Sequence, residues 1–143
     1  MRRLTQNTKV EALRRAPLFE GLSKKELIEL ARVTEDVQVP AGTVLCKEGG
    51  LGREFYVIVE GTAEVTRGGK PVATRQKGEF VGEIALLTAA RRTATVRATS
   101  PLRCLILMRG DFRRVLDENR SIERKVMEAL AERLASYAAD SAI

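Results

Sequence analysis

A glycine followed by a short stretch without strand-like alternation lies in the middle of the chain. The run Gly82-Glu83-Ile84-Ala85-Leu86-Leu87 favours a single helical turn. The first amide groups of a helix have no partner within it and the helix dipole is positive there, so this segment can bind an anion. A glycine at this point also suits a tight turn that only reverses the chain.

Arg92 is the cationic residue that fits this predicted anion site. It shares strand parity with Ala94, Val96 and Ala98, whose alternation with polar residues predicts that they face inward. A buried guanidinium needs a counter-charge, and its fork pairs with phosphate or carboxylate groups. Two hypotheses follow: an anionic ligand completes the site, or Arg92 forms an internal ion pair with Glu83.

Strands must position these residues. From residue 33 to residue 108 apolar and polar residues alternate, and glycine and proline interrupt the pattern at short intervals. Val65 and Val72 flank a Gly68-Gly69 pair, which predicts a hairpin turn. Many short strands of this kind predict a small antiparallel sandwich or barrel.

Helices are predicted on the N-terminal side of the strands. The segment from Asn7 to Arg15 reads as a short amphipathic helix that Pro17 stops. Ser23 and Glu26 form a capping box for a second helix, which should end near Arg32.

Two further helices are predicted after the strands. Asp111 is expected to cap the first, directly after Gly110. The second carries an apolar stripe that must be buried against something. The stripe consists of Met127, Leu130, Leu134 and Tyr137.

The composition argues against most catalytic chemistry. The chain has 143 residues, 44% of them hydrophobic, which predicts one domain with a real core. It has no histidine, so the commonest general base and metal ligand is missing. Cys46 and Cys104 each lie in a strand-like run and are expected to be buried free thiols. No catalytic residues, metal or prosthetic group are predicted.

Charge and hydropathy indicate the compartment and the type of partner. The net charge is +6, with a basic cluster in the first fifteen residues. That cluster fits either an anionic partner or a solvated charged helix. No apolar run is long enough to span a bilayer and the start lacks a signal-peptide core, so a cytoplasmic protein without a membrane partner is expected.

Two parts of the chain together resemble a known family. One is Phe80-Val81-Gly82-Glu83-Ile84-Ala85-Leu86-Leu87 followed by Arg91-Arg92-Thr93-Ala94-Thr95-Val96. The other is Lys47-Glu48-Gly49-Gly50 with Phe55-Tyr56-Val57-Ile58-Val59-Glu60-Gly61. They resemble the phosphate-binding cassette and the preceding strands of cyclic nucleotide-binding domains of the catabolite-activator and protein kinase A regulatory-subunit type.

The resemblance implies an α+β fold, mainly β, and a single domain over residues 1–143. It implies N-terminal helices in residues 1–32 and an antiparallel β-roll, or jelly-roll barrel, in residues 33–108. The cassette would occupy residues 80–96 of the roll, and two lid helices would follow in residues 109–143.

The resemblance also implies the binding site. The cyclic phosphate would bind to the cassette amides and to Arg92, and Glu83 would accept the ribose 2′-hydroxyl. Thr93 would add a hydroxyl to the phosphate or the base. The expected ligand-binding residues are Gly82, Glu83, Ile84, Ala85, Arg92 and Thr93.

Cyclic AMP is expected in preference to cyclic GMP, because the compact chain resembles bacterial members of the family. Cyclic GMP stays the alternative, since a polar residue such as Thr93 occurs in both adenine and guanine binders. Arg91 stands where many members have proline, and it should face solvent, or else compete for the phosphate or an acidic partner.

Three roles are open for the apolar stripe of the last helix: a lid over the base, permanent packing on the roll, or pairing with a second copy. The given sequence ends at Ile143, directly after the lid-like helix, so a DNA-reading helix pair is not expected. A separate effector protein or a homodimer is therefore the expected output, and DNA binding is not.

Two alternatives compete with the sensor hypothesis. In the first, Arg91, Arg92 and Arg97 extend a basic patch that binds nucleic acid. In the second, the chain is a nucleotide-free scaffold in which Arg92 and Glu83 pair with each other.

Overall fold

The computed structural model describes residues 3–141, and the side chains of residues 3–136. Within that part of the chain there are five α-helices, eight strands and a 3-10 turn at Pro17–Phe19. The helices are α1 (Gln6–Arg14), α2 (Lys24–Ala31), α3 (Ile84–Leu87), α4 (Arg109–Glu118) and α5 (Arg120–Ser141). The strands are β1 (Glu35–Val39), β2 (Val44–Cys46), β3 (Glu54–Glu60), β4 (Thr62–Arg67), β5 (Lys70–Gln76), β6 (Phe80–Val81), β7 (Thr95–Ala98) and β8 (Leu102–Met108).

The strands form two four-stranded antiparallel sheets. The first has the order β1-β8-β3-β6 and the second the order β2-β7-β4-β5. Helices precede and follow this roll, and α3 lies between β6 and β7. The predicted α+β fold, mainly antiparallel β with flanking helices, is confirmed.

Both faces of strand β3 are buried. Tyr56 and Ile58 pack into the interior of the roll. Phe55 lies on the other face against the helices, with its ring 6.0 Å from that of Phe19, which in turn is 5.8 Å from Phe112. Burial on both faces and aromatic packing make this sheet the frame that supports the cassette.

The predicted capping box of α2 and the predicted hairpin turn are both confirmed. The Glu26 amide donates to Ser23 Oγ at 3.2 Å and the Ser23 amide donates to Glu26 Oε1 at 2.9 Å, so the capping box is complete. Gly68 and Gly69 have φ of 59° and 80°, which is the left-handed backbone that a tight hairpin turn requires.

The prediction for the start of α4 was wrong. The helix begins at Arg109 and its N-cap is Met108, so Asp111 lies inside the first turn instead of capping it. There its carboxylate pairs with Arg114 on the following turn. An acidic residue in the first turn stabilises a helix through its dipole, so Asp111 can stabilise α4 although it is not the N-cap.

Of the three roles left open for the apolar stripe of α5, permanent packing on the roll is wrong for two of its residues. Met127 and Leu134 are 56% and 60% exposed. Ile122 and Val126 are completely buried, and Leu130 is partly buried against the same core. The Tyr137 side chain lies outside the described residues. The helix therefore packs on the core through Ile122, Val126 and Leu130, which are spaced four residues apart, and exposes Met127 and Leu134.

The two cysteines are buried and not linked to each other, Cys46 at the end of β2 and Cys104 within β8. None of the described helices is long and apolar enough to cross a membrane.

Candidate functional site

A pocket of about 370 Å³ lies between the cassette and the second sheet. All six residues predicted to bind a ligand line it: Gly82, Glu83, Ile84, Ala85, Arg92 and Thr93. Val65, Val96 and other apolar side chains form the opposite wall. The volume lies in the range of small-molecule sites, and an apolar wall facing a few charged groups is typical of them.

The cassette begins at a glycine that no other residue can replace without strain. Gly82 has φ of 83°, and a β-carbon there would lie 2.7 Å from the Glu54 carbonyl oxygen. The predicted helical turn follows as α3. The Ala85 amide donates to the Gly82 carbonyl oxygen at 3.0 Å, so this amide would share its hydrogen with any bound anion.

Arg92 is buried as predicted, but it lies in the loop before β7, so strand parity is not what places its side chain. Its side chain is only 9% exposed. Nη2 donates to the Glu54 carbonyl oxygen at 2.8 Å and to Glu54 Oε2 at 3.2 Å. Backbone hydrogen bonds with Gly49 and Gly50 hold the residue itself, at 2.8 and 2.7 Å.

Two glycines make room for the Arg92 guanidinium. A β-carbon at Gly52 would overlap Nε, and one at Gly82 would overlap Nη1. Within the described part of the chain, all hydrogen bonds of this guanidinium use Nη2. Nε and Nη1 therefore keep their donors for an anion in the pocket.

The predicted alternative pairing of Arg92 with Glu83 was wrong. Arg92 pairs with Glu54, and Glu83 Oε1 accepts a hydrogen bond from Nη1 of Arg133 on α5. The Glu83 side chain is 11% exposed. Its second oxygen, Oε2, is buried and has no hydrogen-bond partner among the described residues. The site thus combines a held cation with a carboxylate that has one oxygen left to accept a hydrogen bond.

The basic patch proposed for nucleic acid does not form as one surface. Arg91 is exposed, as expected, and Nη1 donates to the Gly49 carbonyl oxygen at 2.8 Å. Arg97 is exposed and bonded to the Gly42 carbonyl oxygen. The Arg92 side chain is buried, because it packs against Gly52 and Gly82 and pairs with Glu54.

Cys46 contributes an apolar wall to the pocket, not a reactive group. Burial raises the pKa of its thiol, and the positive charge of Arg92 only partly opposes this effect. The thiol is therefore neutral at ordinary pH.

Sequence reasoning missed the residues that hold the two charged groups of the site. Glu54 is the first residue of β3, two residues after Gly52, and a charged residue at that place was the available signal. Arg133 lies 50 residues from Glu83, and nothing in its surroundings marks it. Arg67 and Arg75 also line the pocket, and Arg67 Nε donates to the Thr93 carbonyl oxygen at 3.0 Å.

Comparison with known proteins gives this geometry a context. Residues 36–119 match the sequence pattern of the cyclic nucleotide-binding domain. A cyclic nucleotide-gated potassium channel from Rhizobium etli is 35% identical over 117 residues, which are 82% of this chain and 33% of the channel. The cAMP-dependent protein kinase regulatory subunit of Schizosaccharomyces pombe is 34% identical over 105 residues, which are 73% of this chain and 26% of the subunit. The chain thus spans a third or less of the length of these two relatives.

A solved structure agrees with the sequence relatives. The N-terminal domain of a transcriptional regulator from Streptomyces coelicolor A3(2) is similar with a TM-score of 0.83 and 30% sequence identity, over 88% of this chain and 94% of that one. The matched pattern covers more than half of the chain and contains the whole cassette. The chain belongs to the cyclic nucleotide-binding domain family.

Proposed function

We propose that this chain binds a cyclic nucleoside monophosphate in the cassette pocket and acts as a ligand-responsive regulatory module. The observation that carries the proposal is a pair of unfilled polar groups that line one pocket. They are Nε and Nη1 of the Arg92 guanidinium and Oε2 of Glu83, which have no hydrogen-bond partner among the residues that the structure describes. A cyclic nucleotide has a matching anionic phosphate and ribose hydroxyl.

Different residues contact the phosphate, the ribose and the base of the ligand. Arg92 neutralises the phosphate and the amides of Gly82 and Ile84 donate to its oxygens, while Glu83 accepts the 2′-hydroxyl. The apolar wall of the pocket covers the base, and Thr93 supplies a hydroxyl beside it. Cyclic AMP is proposed over cyclic GMP, and the similarity to a regulatory subunit named for its dependence on cyclic AMP supports this choice.

The chain is proposed to signal, not to catalyse a reaction. No catalytic group, metal or prosthetic group takes part. The output passes to a separate effector protein or a second copy of the chain, in the cytoplasm, and neither DNA nor a membrane is a proposed partner.

Calorimetric titration with cyclic AMP and cyclic GMP tests the binding. Arg92→Ala should weaken binding by roughly 1.5 to 3 kcal/mol, as a charge-assisted contact is lost. Arg97→Ala removes the same charge from the exposed side of β7 and should bind like the wild type. If the alanine variant fails to fold, Arg92→Lys replaces it in the test. Lysine keeps the charge but not the planar guanidinium, so its affinity for the nucleotide should lie between those of the wild type and a variant without the charge.

Movement of the C-terminal helices is the proposed signal. Ligand binding is proposed to stabilise the arrangement in which α4 and α5 close over the pocket, because a ligand shifts an equilibrium toward the arrangement that it binds more tightly. Amide hydrogen exchange from residue 110 to residue 137 should slow on saturation with nucleotide. Unchanged exchange in that segment would reject this signal.

One observation favours a second candidate, a scaffold that binds no nucleotide. Both charged groups of the site already have internal partners, Glu54 for Arg92 and Arg133 for Glu83. In the titration, a wild-type chain that binds neither nucleotide would support the scaffold and reject the sensor.

A further inference from the structure

Two arginines lie on the inner face of the second sheet, on the side of the pocket opposite the cassette. Ala63 and Val65 of β4 belong to the buried interior of the roll, and Arg67 is the next residue of the same parity. Arg75 of β5 pairs with Ala63 in the sheet and therefore shares its face. Both arginines line the pocket. The inner faces of packed sheets are ordinarily apolar, so two guanidinium groups there indicate that this part of the pocket binds a polar group.

Neither arginine is paired with an acidic residue in the part of the chain that the structure describes. Arg67 Nε donates to the Thr93 carbonyl oxygen at 3.0 Å, and Arg75 Nη1 donates to the Thr74 carbonyl oxygen at 3.1 Å. The remaining nitrogens of each guanidinium keep their donors. The partners that match such a fork are a phosphate, a carboxylate or the two acceptors of a guanine base.

The charge of the pocket favours an anion over a neutral base as this partner. Five arginines and Glu83 line the pocket, and Glu54 pairs with one of these arginines, so five positive and two negative charges leave a net charge of +3. A cyclic mononucleotide carries a single negative charge, on its phosphate. Positive charges in one cleft repel each other and attract anions, so a second anionic group on the ligand would be stabilised.

An apolar wall separates the two cationic ends of the pocket. Arg92 precedes β7 and Arg75 is on β5, with β4 between these two strands. Neighbouring strands are about 4.8 Å apart, so the backbones of β5 and β7 are about 10 Å apart. Val65 and Val96, which pair across β4 and β7, line the pocket between the two ends. A matching ligand therefore carries two anionic groups with a less polar part between them.

We propose that Arg67 and Arg75 form a second anion subsite, and that the pocket takes a nucleotide with two separate phosphates, of the cyclic dinucleotide class. One phosphate binds to the cassette and Arg92, and the other binds to the second subsite. In a cyclic dinucleotide the two phosphates lie on opposite sides of one ring, where the two sugars hold them apart, and the bases can cover the apolar wall. This inference rests on the proposed function for the first phosphate.

Calorimetric titration with cyclic AMP and with cyclic di-AMP tests the second subsite. The wild type should bind cyclic di-AMP about tenfold more tightly, the value of one charge-assisted contact. Arg75→Ala should weaken cyclic di-AMP about tenfold and cyclic AMP by no more than about twofold, so that the preference falls to about twofold or less. Arg75→Lys should recover part of the preference, since it keeps the charge but loses the planar fork.

Two controls separate the second subsite from a general effect of charge. Arg97→Ala removes one positive charge from the exposed face of the same sheet and should keep the wild-type preference. Adenosine 3′,5′-bisphosphate is more negative than cyclic di-AMP, but both of its phosphates are on one sugar, so it should bind less tightly than cyclic di-AMP. Tighter binding of the bisphosphate would show that the pocket responds to charge alone and would overturn the proposal.

The alternative contact with a guanine base has its own outcome. Adenine offers a donor where guanine offers a second acceptor, so a preference for cyclic di-AMP cannot come from an arginine that reads guanine. If Arg75→Ala weakened cyclic GMP about tenfold and left the preference for cyclic di-AMP as in the wild type, Arg75 would contact the base and the second subsite would be rejected.

The titrations distinguish a failure of this inference from a failure of the proposed function. A wild type that binds cyclic AMP at least as tightly as cyclic di-AMP would reject the second subsite and leave the proposed function standing. A wild type that binds only cyclic di-AMP would support the second subsite and reject the mononucleotide as the ligand. Binding of neither nucleotide would refute both.

Discussion

Replacing Glu26 by glutamine should loosen the attachment of α5 to α2. Glu26 is a buried acidic residue, and its carboxylate connects the two helices. Oε1 accepts from Lys125 Nζ at 2.6 Å and from the Ser23 amide at 2.9 Å, and Oε2 accepts from Ser121 Oγ at 2.7 Å. Glutamine has the same shape, but it has no charge and its amide nitrogen would face a donor.

The size of the effect follows from the pKa of Glu26. Burial raises this pKa, but hydrogen bonds from Lys125, Ser23 and Ser121 outweigh it and lower the value from 4.5 to about 2. A fall of that size corresponds to about 3 kcal/mol of stability. Lys125 is partly exposed, so solvent weakens the pair and we expect Glu26→Gln to cost about 2 kcal/mol at pH 7.

The pH dependence of unfolding tests separately whether the pKa of Glu26 is lowered on folding. Because the folded-state pKa is depressed, the contribution of Glu26 is fully present above its ordinary pKa of 4.5 and is lost as the pH falls toward 2. Denaturant unfolding of the wild type and of Glu26→Gln should therefore differ most above pH 5.5. The difference should shrink by about half or more by pH 3.

Glu29→Gln provides the control, because Glu29 is exposed on the same helix and pairs only with Arg32 on the next turn. It should change stability by less than about 0.5 kcal/mol. A Glu26→Gln variant as stable as this control would refute the reasoning, and so would a stability difference that stays constant from pH 7 to pH 3.

Two further predictions concern single positions. Gly82→Ala should lower stability by about 2 kcal/mol and weaken nucleotide binding about tenfold, because the φ of Gly82 is positive and the added carbon meets the Glu54 carbonyl. The control Gly110→Ala, at a position with open space around it, should change neither stability nor binding. Equal denaturant midpoints for the two variants would contradict the argument. In α5, Val126→Ala should lower the free energy of unfolding by about 2 kcal/mol and Met127→Ala by less than about 0.5 kcal/mol, since Val126 is buried and Met127 is exposed. Denaturant unfolding that ranks the two variants in the opposite order would reject the assigned buried face.

Features that depend on neighbours along the chain were predictable from sequence. The capping box of Ser23 and Glu26 involves residues three apart, and the Gly68-Gly69 turn needs only a backbone that glycine adopts freely. Strand parity predicted that Arg92 is buried, although the residue lies in the loop before β7 and its contacts with Glu54, Gly52 and Gly82 place it. The family resemblance added the expected roles of the six pocket residues, and those roles remain predictions.

Tertiary structure alone decided which charges pair and which face of α5 is buried. Arg92 was compatible with several carboxylates in sequence, and Glu54 became its partner because β3 brings it alongside. Glu83 meets Arg133 only where α5 crosses the pocket. The helix carries apolar residues on more than one side, so neither Met127 nor Val126 is marked as buried until the roll defines a surface. Pairing and burial depend on distances between segments remote in sequence, and those distances arise only when the whole core packs.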